Sequence, residues 1–175
     1  GSSGQLGNGS SNTQTTPVSV TGITNAVQTS TGLYHTCAVL QGGAMKCWGN
    51  NSYGQLGNAT YTSGTSPVSV TSVSTATLSY AGFYNTCALL QGGSVKCWGM
   101  GCLGQLGNGT NVMTQSTPVD VSGLTQVTSL SGGGYGGTHI CAVRSDNSLW
   151  CWGRNDSSQS GIVRDYSAID LSNAF

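Results

Sequence analysis

The sequence contains no glutamate, and its five acidic side chains are all aspartates. Five Lys and Arg balance them, so the formal net charge is +0. Charged residues make up 6% of the chain, against roughly a quarter in an ordinary soluble domain. That scarcity removes the electrostatic footprint on which nucleic-acid binding depends, and it argues against an acidic membrane surface as partner. No apolar run approaches the roughly 20 residues of a membrane span, so no membrane insertion is expected. Helix formers are few, whereas Val, Thr and Tyr are frequent, which favours strands. Asp120, Asp146, Asp156, Asp165 and Asp170 are scattered through the chain, so paired carboxylates for acid–base work are not evident.

Ser, Thr, Asn, Gln and 28 Gly stand in place of the missing charge. Such composition often means disorder, but 37% hydrophobic residues at regular spacing argue against it. The spacing is a repeat. HTCAVLQGGAMKCWGNNSYGQLGN runs from His35 to Asn58 and returns as NTCALLQGGSVKCWGMGCLGQLGN from Asn85 to Asn108. HICAVRSDNSLWCWGRNDSSQSG, from His139 to Gly161, is a looser copy, and GSSGQLGNGS at the front supplies the tail of another. Pro17, Pro67 and Pro118 keep step with Cys47, Cys97 and Cys151, at a period near fifty. The units run 1–49, 50–99 and 100–153, followed by the divergent start of a fourth at 154–175.

Each unit reads as four short strands: a PVSV-type strand opened by proline, a second such as NAVQTST, and a hairpin. The chain is therefore all-β. Three four-stranded blades plus one extra strand, AIDLSNAF, suit a β-propeller; a solenoid of stacked β-units is the alternative.

Six of the seven cysteines form pairs ten positions apart: Cys37 with Cys47, Cys87 with Cys97, Cys141 with Cys151. If CAVL and AMKC are antiparallel strands joined by Gln41-Gly42-Gly43, Val39 faces Met45 and Cys37 falls opposite Cys47, within disulfide reach. The same count holds around Gln91-Gly92-Gly93 and around Ser145-Asp146-Asn147. Zinc is the weaker reading, because four ligands do not converge from one pair per repeat; reduced structural cysteines are another. Three disulfides imply an oxidising compartment, periplasmic, extracellular or at the cell surface, the last two being the expectation taken forward. Cys102 replaces Ser52 and is left unpaired, either as a reactive thiol or as an inert exchange.

The pattern AxxxHTCALxxGxVKCWGxNxxGQLGxGTxxxxxTPVxV resembles the repeat of the regulator of chromosome condensation (RCC1) superfamily, in particular its bacterial and extracellular branch with paired cysteines. The resemblance covers nearly all of residues 1–153. It implies an RCC1-like propeller, usually of seven blades, that serves as an interaction platform. Three repeats do not close such a ring alone, so the expectation is either a longer chain, the preferred reading, or several copies assembled together.

No catalytic constellation, metal site or cofactor motif is found. His35 and His139 share a repeat position with Asn85, which points to a structural hydrogen bond. GQLGNG lacks the lysine and helix of a phosphate loop; its leucine is expected between blades. Trp48, Trp98 and Trp152 read as blade core, and Trp150, aligned with Met45 and Val95, as filling a gap. Tyr34, Tyr84 and Tyr135 precede the hairpins near a loop edge and are the candidate ligand-facing residues, packing being their competing role. Sequons occur at Asn8, Asn50, Asn58, Asn108 and Asn155.

The leading functional expectation is a non-catalytic extracellular protein-interaction module. A self-assembling fibre or surface-layer protein, partnered by further copies of itself, is the alternative, and carbohydrate binding a second one. The cysteine reading has a direct check. Denatured without reductant, the chain should titrate with one thiol, that of Cys102; seven would show the hairpin cysteines reduced.

Overall fold

The structure, a computed structural model, describes residues 3–133 and 139–155 in full, and residues 169–170 as strand backbone alone. It holds three antiparallel four-stranded sheets. The first is β1 (Ala26–Thr31), β2 (His35–Leu40), β3 (Met45–Gly49) and β4 (Gly64–Ser69). The second is β5 (Ala76–Ala81), β6 (Asn85–Leu90), β7 (Val95–Met100) and β8 (Thr114–Asp120). In the third, β9 (Val127–Gly132), β10 (His139–Arg144) and β11 (Leu149–Gly153) are joined by the short β12 (Ile169–Asp170).

The hairpin register follows from the loop. Val39 pairs with Met45 and Cys37 with Cys47, and the same pairing recurs at Cys87/Cys97 and Cys141/Cys151. Disulfides join all three pairs, with Cα atoms 4.1 Å apart, as suits the close rungs of an antiparallel ladder. Each closes a short loop and adds ~2–3 kcal/mol in the chain-entropy model. At the αL position of the hairpin loop, Gly43 (φ +86°) and Gly93 (φ +83°) are replaced in the third hairpin by Asn147 (φ +66°), one of the few other residues that tolerates it.

The sheets are one strand out of phase with the sequence repeats. After the GQLGN loop the chain reaches the free edge of β3, so the PVSV strand of the second repeat, β4, completes the sheet of the first: Lys46 pairs with Ser69 and Cys47 with Val68. β8 does the same for β7. AIDLSNAF is likewise no surplus strand; its β12 backs β11. Residues 17–20, the counterpart of β4, join no ladder among the described residues. The register also moves Trp150. It pairs with Ala142 as Lys46 does with Ala38, so its counterparts are Lys46 and Lys96, and Leu149 is the counterpart of Met45 and Val95. The Trp150 ring lies 5.5 Å beneath the Arg144 guanidinium and donates from Nε1 to Ser148 Oγ (3.1 Å).

Neighbouring sheets meet along their first strands, β1 and β2 against β5, and β5 and β6 against β9. Between them lie two apolar cores. Cys37, Val39 and Met45 of the first sheet pack with Val70, Val73 and Trp98, and Leu56 of the GQLGN loop is buried among them. Leu89, Val95, Leu106 and Trp152 fill the second. The loop is held by its glutamine carbonyl. Gln55 O accepts from Trp98 Nε1 (2.9 Å) and Thr86 Oγ1 (2.7 Å). Gln5 O accepts from Trp48 and Thr36, and Gln105 O from Trp152. A loop leaving one sheet is thereby fastened to the tryptophan of the next.

Gly57 makes that approach possible. A Cβ there would stand 2.6 Å from Trp98 Nε1, and φ is +68°. Gly57→Ala should cost about 3 kcal/mol or more, from left-handed strain plus overpacking. Gly42→Ala, where φ is +92° but no atom lies within 4 Å of the added carbon, should cost only about 1–2 kcal/mol. Denaturant unfolding of the two variants checks the contrast; equal losses would remove the Trp98 contact from the account.

Candidate functional site

At one end of the first two sheets the β1–β2 and β5–β6 connections lie side by side, tied by a hydrogen bond from Leu33 N to Gly82 O (3.3 Å). Each presents an apolar residue followed by tyrosine: Leu33-Tyr34 and Phe83-Tyr84. The Tyr34 and Tyr84 rings stack at 5.6 Å between centroids. Tyr53, from the loop after β3, tilts against Tyr84 at 4.6 Å. Phe83 stands edge-on to both, 4.5 Å from Tyr84 and 6.0 Å from Tyr34. These four rings are half-buried and Leu33 is exposed, so the cluster forms an aromatic platform open to solvent.

Of the three tyrosines expected near a ligand, the fold brings Tyr34 and Tyr84 together, while Tyr135 lies outside the described residues. Tyr53, Phe83 and Leu33 were not among the expected residues. Their signal in the sequence is departure from the repeat: Tyr53 is Leu103 in the next copy, and Phe83 is Leu33 in the preceding one. Cys102, half-buried at the position of Ser52, is a free cysteine beside Leu103.

Beside the platform, a groove of about 490 Å³ runs between the first strands of the three sheets. Gln28, Ser30, Leu33, Tyr80, Phe83 and Leu130 line it, and among the described residues no charged side chain does. Its floor is stitched across sheets. The Gln28 amide accepts from Ser79 N (2.9 Å) and donates to Ser79 O (3.1 Å), imitating a ladder rung, and Ser30 Oγ meets Ser79 Oγ at 2.7 Å. Leu33 and Phe83 belong to groove and platform alike. Desolvation, and after it the neighbouring Tyr34 and Tyr53, hold the Tyr84 phenol above its usual range. Burial does the same for Tyr80. Both remain neutral donors near pH 7. The surface offers stacking faces and hydroxyls without charge, which suits recognition by contact area and hydrogen bonding.

Beneath the platform, His35 is fully buried and its Nε2 lies 2.8 Å from Thr86 Oγ1 on the second sheet. The Thr86 hydroxyl already donates to Gln55 O, so it accepts here, and the imidazole carries its proton on Nε2. Nδ1 makes no hydrogen bond. Asn85 holds the same place on the second sheet, but the counterpart of Thr86 is Ile140, which offers no hydroxyl, and Asn85 Nδ2 is unpartnered.

Two family models describing the regulator of chromosome condensation (RCC1) repeat match the chain, one over residues 26–55, 79–105 and 127–159, the other over 1–39 and 43–89. Among curated proteins no sequence matches. Among solved structures, human WBSCR16 is 27% identical with a TM-score of 0.84, over 98% of this chain and 46% of that one. Prp20p of Saccharomyces cerevisiae, whose structure is reported with its binding properties to Gsp1p and histones, is 18% identical with a TM-score of 0.75, over 87% and 39%. The yeast protein also appears bound to Kap60, with a TM-score of 0.73 and 16% identity, over 87% and 38%. The yeast structures share the fold. The chain spans less than half the length of each of these proteins.

His35 gives the site a pH dependence. Burial lowers its pKa from 6.5 to about 4, so between these values the unfolded chain binds a proton that the folded chain does not. Stability is full above pH 6.5 and falls as pH drops towards 4, by about 3 kcal/mol in all. His35→Asn, the residue present at position 85, should flatten that stretch of the curve. Parallel curves for both proteins, measured by denaturant unfolding from pH 7.5 to 4.5, would remove His35 as the cause.

Proposed function

The chain belongs to the regulator of chromosome condensation (RCC1) repeat family, and on that footing we propose that it is a non-catalytic, extracellular module that binds another protein through the aromatic end of its blades. The observation that carries this is the platform of Tyr34, Tyr53, Phe83 and Tyr84. Four rings gathered at a surface, beside an uncharged groove, make the kind of patch in which interface energy concentrates. The sides of the sheets are dominated by Ser, Thr, Gln and Asn and have no comparable cluster among the described residues.

The fold supports the reading from a second direction. Prp20p, with the same arrangement of blades, has binding properties to Gsp1p and histones, and it also binds Kap60. A propeller offers many loops on a rigid frame, and partners engage the loops. The partner expected for this chain differs in chemistry. With a net charge of +0 and no charged residue in the groove among the described residues, complementarity favours an uncharged protein surface rich in apolar and hydroxyl groups. An oxidising compartment for that encounter is part of the proposal, and the three disulfides support it.

A photoreactive benzoylphenylalanine at position 84 tests both parts. Secreted into the medium of its source, the chain should form an adduct with one protein, identified by mass, and a probe at exposed Val27, on the flank of the first sheet, should not. With the partner in hand, Tyr84→Ala should weaken binding about thirtyfold or more, the effect of a central aromatic anchor. Adducts with saccharide alone would replace protein by carbohydrate as the ligand. Equal adducts at both positions would remove the platform from the proposal.

A further inference from the structure

The polar atoms of the aromatic platform are unevenly matched. Its three tyrosines, Tyr34, Tyr53 and Tyr84, are half-buried, yet among the described residues their hydroxyls make no hydrogen bond within the chain. The Tyr80 hydroxyl, in the groove alongside, has no such partner either. Four neutral O–H donors are therefore left for water or a ligand.

The acceptors around them are already engaged. The Tyr34, Gly82 and Tyr84 carbonyls accept from Asn50 N (2.8 Å), Leu33 N (3.3 Å) and Met100 N (2.9 Å). On the groove floor the Gln28 amide commits its oxygen and its nitrogen to the Ser79 backbone, at 2.9 and 3.1 Å. The Ser30 and Ser79 hydroxyls face each other at 2.7 Å. What remains beside the phenols is apolar: Leu33, Leu78, Phe83 and Leu130.

These groups separate the classes of ligand. A peptide added as a β-strand needs a free sheet edge, and on β5 the Gln28 amide interrupts that edge at Ser79. A cation caged by aromatic rings must lie over their faces. Here the ring centroids are 4.5–6.0 Å apart, so the rings touch one another and leave no room between them. A charged group would also meet no counter-charge, since no charged side chain lines the groove among the described residues. A sugar brings as many donors as acceptors, and its donors would find only phenol oxygens. Proline-rich backbone has the opposite balance. Each proline lacks an N–H, and in polyproline II geometry the carbonyls stand outward with no internal hydrogen bond. Such a segment brings acceptors and apolar rings to a surface that offers donors and apolar side chains.

We propose that the partner meets this site with a proline-rich segment in polyproline II conformation. Its carbonyls accept from the Tyr34, Tyr53 and Tyr84 hydroxyls, and an apolar residue enters the groove beside Tyr80, past Leu33 and Phe83. This rests on the platform's being a protein-binding surface, and it adds the chemistry that the partner brings.

An array of uncharged peptides tests this, each about 12 residues long, four turns of polyproline helix. Half carry Pro-x-x-Pro, and the other half carry the same residues with each proline replaced by alanine. The labelled chain should bind members of the proline half alone. For a binder taken into solution, Tyr53→Phe and Tyr84→Phe should each weaken binding about fivefold, the loss of one hydrogen bond. Tyr61→Phe, whose phenol meets Thr114 Oγ1 outside the site, should leave it unchanged. Native near-ultraviolet circular dichroism reports that a variant is folded, and Tyr34→Phe replaces either one that is not. Equal binding by the two halves overturns the proposal, and so does affinity indifferent to loss of the hydroxyls. An array that binds nothing overturns it as well. In each of these cases a protein captured at position 84 leaves the platform as a protein-binding surface, whereas capture of saccharide alone removes both.

Discussion

A four-stranded blade has two faces and cannot dry both of them alone, and the fold of this chain follows from how it meets that constraint. The GQLGN loop leaves one sheet, crosses the gap, and places its leucine in the core shared with the next. Its glutamine carbonyl takes two donors at once, an indole N–H and, where the next strand supplies one, a threonine hydroxyl. Those donors would otherwise be buried without partners, and an unsatisfied buried group costs about 1–3 kcal/mol. The loop therefore closes the apolar core and settles its polar atoms in one move. The glycines on either side of the glutamine and leucine exist to let backbone lie against indole and against the adjoining strand.

The near absence of charge fits the same scheme. Joints between the blades are made from neutral groups: the Gln28 amide against the Ser79 backbone, hydroxyl against hydroxyl, imidazole against threonine. None depends strongly on salt, and only the imidazole titrates between pH 4 and 8. The ion pairs of Lys96 with Asp120 and of Arg144 with Asp146 lie within single sheets. Asp120 and Asp146 are largely exposed, and such pairs add between 0 and about 1 kcal/mol. Disulfides supply cohesion inside each hairpin, where local cores are thin, and leave the joints between blades to packing.

Much of the hairpin geometry was legible in the sequence because a disulfide and a tight turn are both local. Ten positions between cysteines, around a three-residue loop, admit one antiparallel register. The phase of the blades was not legible. A period has no origin, and nothing within one repeat says whether its PVSV strand joins the hairpin behind it or the one ahead. The answer lies in an edge, that of β3, which is free only in three dimensions. Trp150 was misplaced for a related reason: with the loop residues changed to Ser-Asp-Asn, the hydrophobic match of tryptophan with methionine and valine outweighed the count back from Cys151. Tyr34 and Tyr84 were legible as a repeated position near a loop, but their pairing with Tyr53 joins sites on neighbouring repeats.

The platform shows where to look for function in a repeat protein. What recurs in every copy, such as the Trp–Gln clamp, the cysteine pair and the GQLGN leucine, is accounted for by the need of each blade to hold the next. Residues that break the period owe nothing to that need. Tyr53 becomes Leu103 one repeat later, and Phe83 is Leu33 one repeat earlier, without disturbing the joints around them. A leucine would fill the space beneath Tyr84 at least as well as a phenol, and the sheets would stack unchanged. The aromatic cluster is therefore not demanded by the fold, and its concentration at one end of two adjacent blades calls for an explanation outside the chain. Binding provides one, since rings half in solvent gain most of their burial only when a second surface covers them.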